Sequence, residues 1–334
     1  MTADTLRRVV PALSVVVALA AVGGGAWWSQ QRVPVESAVI TRVAPELGPH
    51  AHALLPDIDD AVVVVPDRPH DPAEVRAADR FARITRRRTF RVSTNAAAMR
   101  GPMPPSEGPR ILALGDSVTF GWGVPDDQTW PALLSERLGL PVLNAGVPAM
   151  KPGSMAAWAE LHLRDLEPDL VLFTRRPDHS MPDAFGDFVR AVRRVEQLAA
   201  PAPVGVLLPP VSTFDVRGAR QWEAEAQRIE AAVAPVPVLD LTRPFRDALP
   251  RSGVVLEQPP GAQRVVRLPE GVEVLRVAHQ GDQLAPEVVA LFEGDDQIAE
   301  PLFFDGGHPD ADGFGLFATA VAGWVEAQGW PSRW

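Results

Sequence analysis

From Arg110 to Gln328, short apolar runs alternate with helical stretches, and this alternation constrains the fold more than any other feature of the chain. Ile111–Leu114, Val142–Asn144, Leu170–Thr174, Val204–Leu208 and Val236–Leu241 read as strands. Helices are expected between them: Trp130–Leu138, with Thr129 as N-cap and Pro131 in its first turn, then a helix capped by Ser154 and running to about Leu166. Two more run from Pro182 to about Leu198 and from Ala219 to Ala232, and one from about Ala311 to Gln328 closes the chain. Strands that are apolar on both sides must be covered on both faces, so the pattern implies an α/β fold with a mainly parallel sheet between helical layers. Residues 250–300 break the rhythm and read as an insertion with a hairpin (Gln263–Leu268, Val272–Val277) and a short helix.

The N-terminal third is different. Residues 1–8 form a stub ending in Arg7-Arg8, and Val9–Trp28 carries no charge. Twenty helical residues span about 30 Å, the thickness of a bilayer's hydrocarbon core. The arginines in front favour an N-terminus inside, and Trp27-Trp28 closes the run as an interfacial aromatic pair. The expectation is a transmembrane anchor over 9–28; the competing reading is a cleaved signal peptide, with Ala18-Leu19-Ala20 or Gly24-Gly25-Ala26 as its small-residue site. Both put the rest of the chain outside the cytoplasm, at the membrane if anchored and secreted if cleaved. Residues 29–108 read as a Pro-rich, irregular extracytoplasmic lead-in with one strand, Ala61–Val65, bounded by Pro66. A basic cluster of Arg83, Arg86, Arg87 and Arg88 reads as a solvated face. The main domain is expected over 109–330.

The formal net charge of −10 argues against a nucleic-acid partner, which needs a basic face. The absence of cysteine excludes disulfides, thiolate catalysis and thiolate metal sites.

The first strand of the main domain runs into Gly115-Asp116-Ser117, which puts a hydroxyl at the C-terminal edge of the sheet, where open α/β folds bind ligands. A serine hydroxyl is a poor nucleophile until a base takes its proton. Of the seven histidines, His308 lies in Asp305-Gly306-Gly307-His308-Pro309, just before the last helix. The two glycines allow the loop to fold back and bring Asp305 to the imidazole, as a Ser-His-Asp mechanism requires. Asp116 reads as a helix-start carboxylate that holds the loop. Asp178 and His179, with His308, could hold a metal only on paper, because their spacing matches no helical or hairpin ligand pattern. No cofactor or metal is implied. No Gly-x-Ser-x-Gly elbow is present, which argues against the other common α/β esterase fold.

Three blocks resemble the SGNH hydrolases, also called GDSL esterases and lipases. They are Gly115–Val124, Val142–Ala149, and Asp305–Pro309 followed by Gly313, in the family's order. The segment from Val92-Ser93-Thr94-Asn95 to Met99-Arg100-Gly101 is similar to the lead-in of secreted and membrane-anchored members. The resemblance covers about residues 90–328 apart from the insertion. It implies a flavodoxin-like three-layer sandwich, a triad of Ser117, His308 and Asp305, and an oxyanion hole made by the main-chain N–H groups of Ser117 and Ala149. It also implies hydrolysis of an ester in an acylated carbohydrate or lipid, or transfer of the acyl group. Ala149 stands where the family usually has glycine. The third block departs further: no asparagine precedes Asp178, and the strand runs instead into Thr174-Arg175-Arg176-Pro177. Loss of one oxyanion donor costs on the order of a hundred- to a thousand-fold in rate. Arg175 or Arg176 is the candidate replacement donor, and a catalytically silent, glycan-binding domain is the other reading of the departure.

Overall fold

The structure, a computed structural model, describes residues 40–67, 86–103, 105, 107–177, 183–210, 219–248, 255–257, 263–267, 275–278, 302–305 and 308–333. The expected anchor over Val9–Trp28 lies outside them, as do Arg83, Asp178 and His179. Among the described residues, no helix is long and apolar enough to cross a membrane.

The centre is a five-stranded sheet of β5 (Ile111–Gly115), β6 (Val142–Gly146), β7 (Leu170–Thr174), β8 (Val204–Leu208) and β9 (Val238–Asp240). All neighbouring pairs are parallel, and the order is β6-β5-β7-β8-β9. Renumbered within the sheet this is 2-1-3-4-5, the flavodoxin-like order, with its topological switch point between β5 and β7. Every residue of β5, β7 and β8 is buried. Alternate side chains serve opposite faces, as the strand period of two requires. Leu112, Leu114, Val171 and Phe173 pack into one core, and Ile111, Ala113, Leu170 and Leu172 into the other. Full burial of such a side chain is worth about 1.5–3 kcal/mol relative to exposure.

The helices are α1 (Ser117–Phe120), α2 (Trp130–Leu138), α3 (Pro152–Leu166), α4 (Ala184–Ala199), α5 (Ala219–Val233), α6 (Thr242–Ala248) and α7 (Ala311–Ala327). Residues of α3, α4 and α5 fill the first core; residues of α2, α6 and α7 fill the second. Trp130 of α2 stacks on Phe317 of α7 at 4.9 Å between ring centroids. Thr129 caps α2 as expected, accepting from the Ala132 N–H. Ser154 does not cap α3: Pro152 occupies the first turn, Lys151 stands at the N-cap, and no side chain accepts there. Proline fits that position because the N–H it lacks has no partner in a first turn anyway.

The irregular lead-in is corrected by the structure over the described part of 29–108. Thr41–Val43 (β1) pairs with His52–Leu54 (β2), and Ala61–Asp67 (β3) pairs along its length with Arg86–Val92 (β4). Pro66 does not end its strand, because a two-stranded ribbon leaves an outer edge where a missing N–H costs nothing. Leu54, Val63, Phe90, Val92 and Met99 are buried in the same core as β5 and β7. This segment therefore packs as part of the α/β unit. Within the insertion, Val255–Glu257 (β10), Gln263–Arg267 (β11) and Leu275–Ala278 (β12) form an antiparallel sheet. The second arm of the expected hairpin thus lies slightly later than Val272–Val277.

Burial drives two histidines of the first core's rim toward their neutral forms: His52 in β2 and His162 in α3, the latter packed against Trp158, both titrate below their ordinary 6.5. The unfolded chain binds these protons more readily than the folded one, so stability is intact above pH 6.5 and falls as the pH drops below it. Thermal melting between pH 7.5 and 5.5 is expected to show a falling midpoint, and His162→Gln a shallower fall than wild type.

Candidate active site at the sheet switch point

The nucleophile candidate is placed by close backbone packing. A Cβ on Gly115 would stand 2.0 Å from Thr119 Oγ1 and 2.8 Å from the Thr174 carbonyl; one on Gly146 would stand 2.1 Å from the Phe120 N. Only glycine lets β5 and β6 lie this near α1. Asp116 caps α1, with Oδ1 accepting from the Val118 N–H at 3.0 Å. Its role is the structural one expected from the sequence. Ser117 opens the helix and faces the last hairpin of the chain, where its Oγ lies 2.8 Å from His308 Nε2.

That hairpin is β13 (Phe303–Asp305) with β14 (His308–Pro309). Asp305 and His308 are direct register partners across the two glycines. Their main chains are thus brought together as the spacing implied; the Asp305 side chain is outside what the structure describes. Phe303 is buried beside Phe245, the Asp310 N–H donates to the Leu302 carbonyl at 3.0 Å, and the Asp310 side chain caps α7. The Trp122 ring lies 6.4 Å from the His308 ring and packs edge-on against Phe90.

Ala149 sits in the turn that leaves β6. The Val147 N–H donates to the Gly115 carbonyl, and the Met150 N–H donates back to Val147. Pro148 and Ala149 occupy the two central positions, and Ala149 has φ +63°. Proline followed by a left-handed residue is the type II arrangement, which favours glycine at the second place. The glycine usual in the resembling family therefore has a conformational reason here, and alanine bears the strain. The turn starts on the residue hydrogen-bonded to Gly115, one side of the Ser117 turn.

The two arginine candidates part company. Arg175, at the end of β7, pairs through Nη1 with Asp116 Oδ2; both side chains are only about one-seventh exposed, at 14% and 13%. The pair closes the switch point between β5 and β7, one residue from Ser117. Arg176 is corrected as an oxyanion candidate. Its Nε donates to the Pro209 carbonyl at 2.8 Å, and its other nitrogens reach Glu225, Asp240 and Thr242, with Trp222 stacked against it. Those acceptors lie on and beyond β8 and β9, so its guanidinium is committed away from Ser117.

Sequence reasoning missed two supporting residues. Asn144, buried in β6, accepts from the Gly146 N–H and donates to the Phe120 carbonyl. Arg100 is 3% exposed and is held between the lead-in and the turn that follows α1. Its only sequence signal was its place in Met99-Arg100-Gly101. Burial pulls its pKa below the ordinary arginine value, and Asp126 opposes that pull. Among the described residues, no group of three or more acidic or histidine side chains is arranged to hold a metal ion.

No protein-family model matches the chain, and no curated protein does. Solved structures are similar to it at low identity. A lipolytic protein of the G-D-S-L family from Desulfitobacterium hafniense is 15% identical over 64% of this chain and 98% of its own, with a TM-score of 0.39. A lipase/acylhydrolase from Enterococcus faecalis is 15% identical over 66% and 97%, at 0.41. A catalytic mutant of an acetylxylan esterase from Geobacillus stearothermophilus is 16% identical over 66% and 94%, at 0.38. At such identities and scores they transfer no role to this chain.

Removing Asp116 strips α1 of its cap and leaves Arg175 beside it without its carboxylate, whereas removing Arg175 leaves the cap in place. Asp116→Ala is therefore expected to lose about 1 kcal/mol more than Arg175→Met, the worth of the cap, in urea unfolding.

Proposed function

We propose that the chain is a serine esterase of the SGNH type, and the 2.8 Å contact between Ser117 Oγ and His308 Nε2 at the switch point is the observation that carries the reading. In the proposed cycle Ser117 Oγ attacks the ester carbonyl while His308 Nε2 takes the hydroxyl proton. The tetrahedral intermediate collapses as His308 returns that proton to the departing alkoxide, leaving an acyl group on Ser117. Water, deprotonated by His308, then frees the acid. Asp305 acts as the orienting carboxylate, supported by its register with His308 in the hairpin. The main-chain N–H groups of Ser117 and Ala149 receive the oxyanion. An alcohol in place of water turns the same steps into acyl transfer.

The substrate is an O-acyl group on an envelope polysaccharide or lipid. This follows from an extracytoplasmic address, which rests on the uncharged run Val9–Trp28 behind Arg7-Arg8. The second reading, a silent glycan-binding domain, is favoured by one feature: past the end of β7, Arg175 is paired with Asp116 of the β5 turn, and no asparagine precedes Asp178 as in the resembling family.

Full-length protein in detergent is expected to hydrolyse a small aryl acetate and to be labelled by a fluorophosphonate. Ser117→Ala and His308→Gln should each lower kcat at least about a thousand-fold. Absence of labelling in the wild type, or equal labelling in Ser117→Ala, would overturn the esterase reading in favour of the silent one. Ala149→Gly should keep the activity and gain up to about 1 kcal/mol, the left-handed penalty less glycine's extra unfolded-state entropy. Extraction from membranes only by detergent tests the anchor; release without it favours a cleaved signal.

A further inference from the structure

Resting on the reading of Ser117 and His308 as nucleophile and base, we propose that Arg100 is a positioning residue for that pair, holding from behind the turn that carries one and braces the other. A guanidinium has five N–H donors, and all five of Arg100 are used. Nη1 donates to the carbonyls of Phe120 and Gly121 at 2.7 and 2.8 Å. Nη2 donates to Val124 at 2.7 Å and Arg91 at 3.1 Å, and Nε to Asp126 Oδ1 at 2.7 Å. Three of the four carbonyls belong to residues 120–124, the segment that leaves α1.

That segment touches both members of the pair. The N–H groups of Gly121 and Trp122 each donate to the Ser117 carbonyl at 3.0 Å, so the turn fixes the main chain of the nucleophile itself. Trp122, between the anchored carbonyls of Gly121 and Val124, sets its ring near that of His308. Arg100 also stacks over the Phe120 ring at 4.5 Å, and its own N–H donates to the Asn144 carbonyl of β6 at 3.0 Å. One residue, through its side chain and its main-chain N–H, thus joins the lead-in ribbon, β6 and the nucleophile turn. The carbonyls it gathers converge on a single point, which neither a lysine nor an amide can serve, because only the guanidinium fork reaches five acceptors at once. Asp126 completes the brace, its Oδ2 accepting from the Ser93 N–H at 2.8 Å.

The test compares Arg100→Gln, Arg100→Lys and Asp126→Asn with wild type and with Val195→Ala. The last removes buried apolar volume in α4, to which none of the hydrogen bonds of the Arg100 side chain runs. Each full-length protein is assayed well below its melting midpoint, for aryl acetate kinetics and for the rate of fluorophosphonate labelling at Ser117. Arg100→Gln is expected to lose at least a hundred-fold in kcat and in labelling rate with KM within threefold, and Arg100→Lys to recover about a tenth of the wild-type rate. Asp126→Asn, which keeps the fold should Arg100→Gln fail to, is expected to lose five- to tenfold. The proposal is overturned if the folded variants keep kcat within twofold, or if Val195→Ala loses as much at an equal drop in melting temperature. If the wild type itself is not labelled, the esterase reading fails instead. A crystal structure of Asp126→Asn or Arg100→Gln then decides the positioning claim: a Ser117 Oγ–His308 Nε2 separation still at 2.8 Å overturns it, and one beyond 3.5 Å supports it.

Discussion

A guanidinium shut away from water must find an acceptor for each of its five protons, and in this chain that demand is met only when two distant pieces of sequence are already in place. Arg91 and Arg100 belong to the segment before the sheet, and Asp126 and the carbonyls of 120–124 to the segment after β5; the main-chain N–H of Arg100 adds a tie to Asn144 of β6. An unmet donor in that position would cost about 1–3 kcal/mol, and more where charge is involved. The arrangement therefore behaves as all or none. The lead-in ribbon and the nucleophile turn are thereby tied to one another, in keeping with the burial of Phe90, Val92 and Met99 of the lead-in in the central core.

The sheet supplies the rest. Parallel strands end at one edge, and the reversal of order between β5 and β7 opens a crevice there. Ser117 enters from β5, Arg175 from β7, the Val147–Met150 turn from β6, and His308 from a hairpin seated between Phe245 and α7. Four separate elements thus meet at one point, and close glycine contacts at Gly115 and Gly146 set the depth at which they meet.

Much of this was legible in the sequence because it depends on local pattern. β7 and β8 coincide with their apolar runs, α2 with its cap and proline, and the Gly-Asp-Ser and Asp-Gly-Gly-His segments lie at their expected places. The lead-in was legible only at Ala61–Val65, where β3 indeed runs, although past Pro66 to Asp67; β1, β2 and β4 were not, because they are stabilised by pairing with other strands and by burial against helices far along the chain. Arg175 and Arg176 were indistinguishable as neighbours in sequence. Just past the end of β7 their side chains turn to different partners, one to Asp116 and the other to Glu225 and Asp240. Arg100 was invisible for a related reason, since its acceptors are mostly main-chain carbonyls and carry no residue-type signature.

The hairpin that bears His308 has a consequence for how such a chain can diversify. Asp305 and His308 are matched by a backbone ladder, and the ladder is tied locally, by the buried Phe303 ring, by Leu302 to Asp310, and by the Asp310 cap of α7. None of these ties involves the stretch between Ala248 and Leu302. Among the described residues, the ties that hold this register come from residues 302–310, the start of α7 and Phe245. The hairpin thus carries the alignment of Asp305 with His308 as a property of its own short sequence, so that alignment travels with the hairpin as one unit.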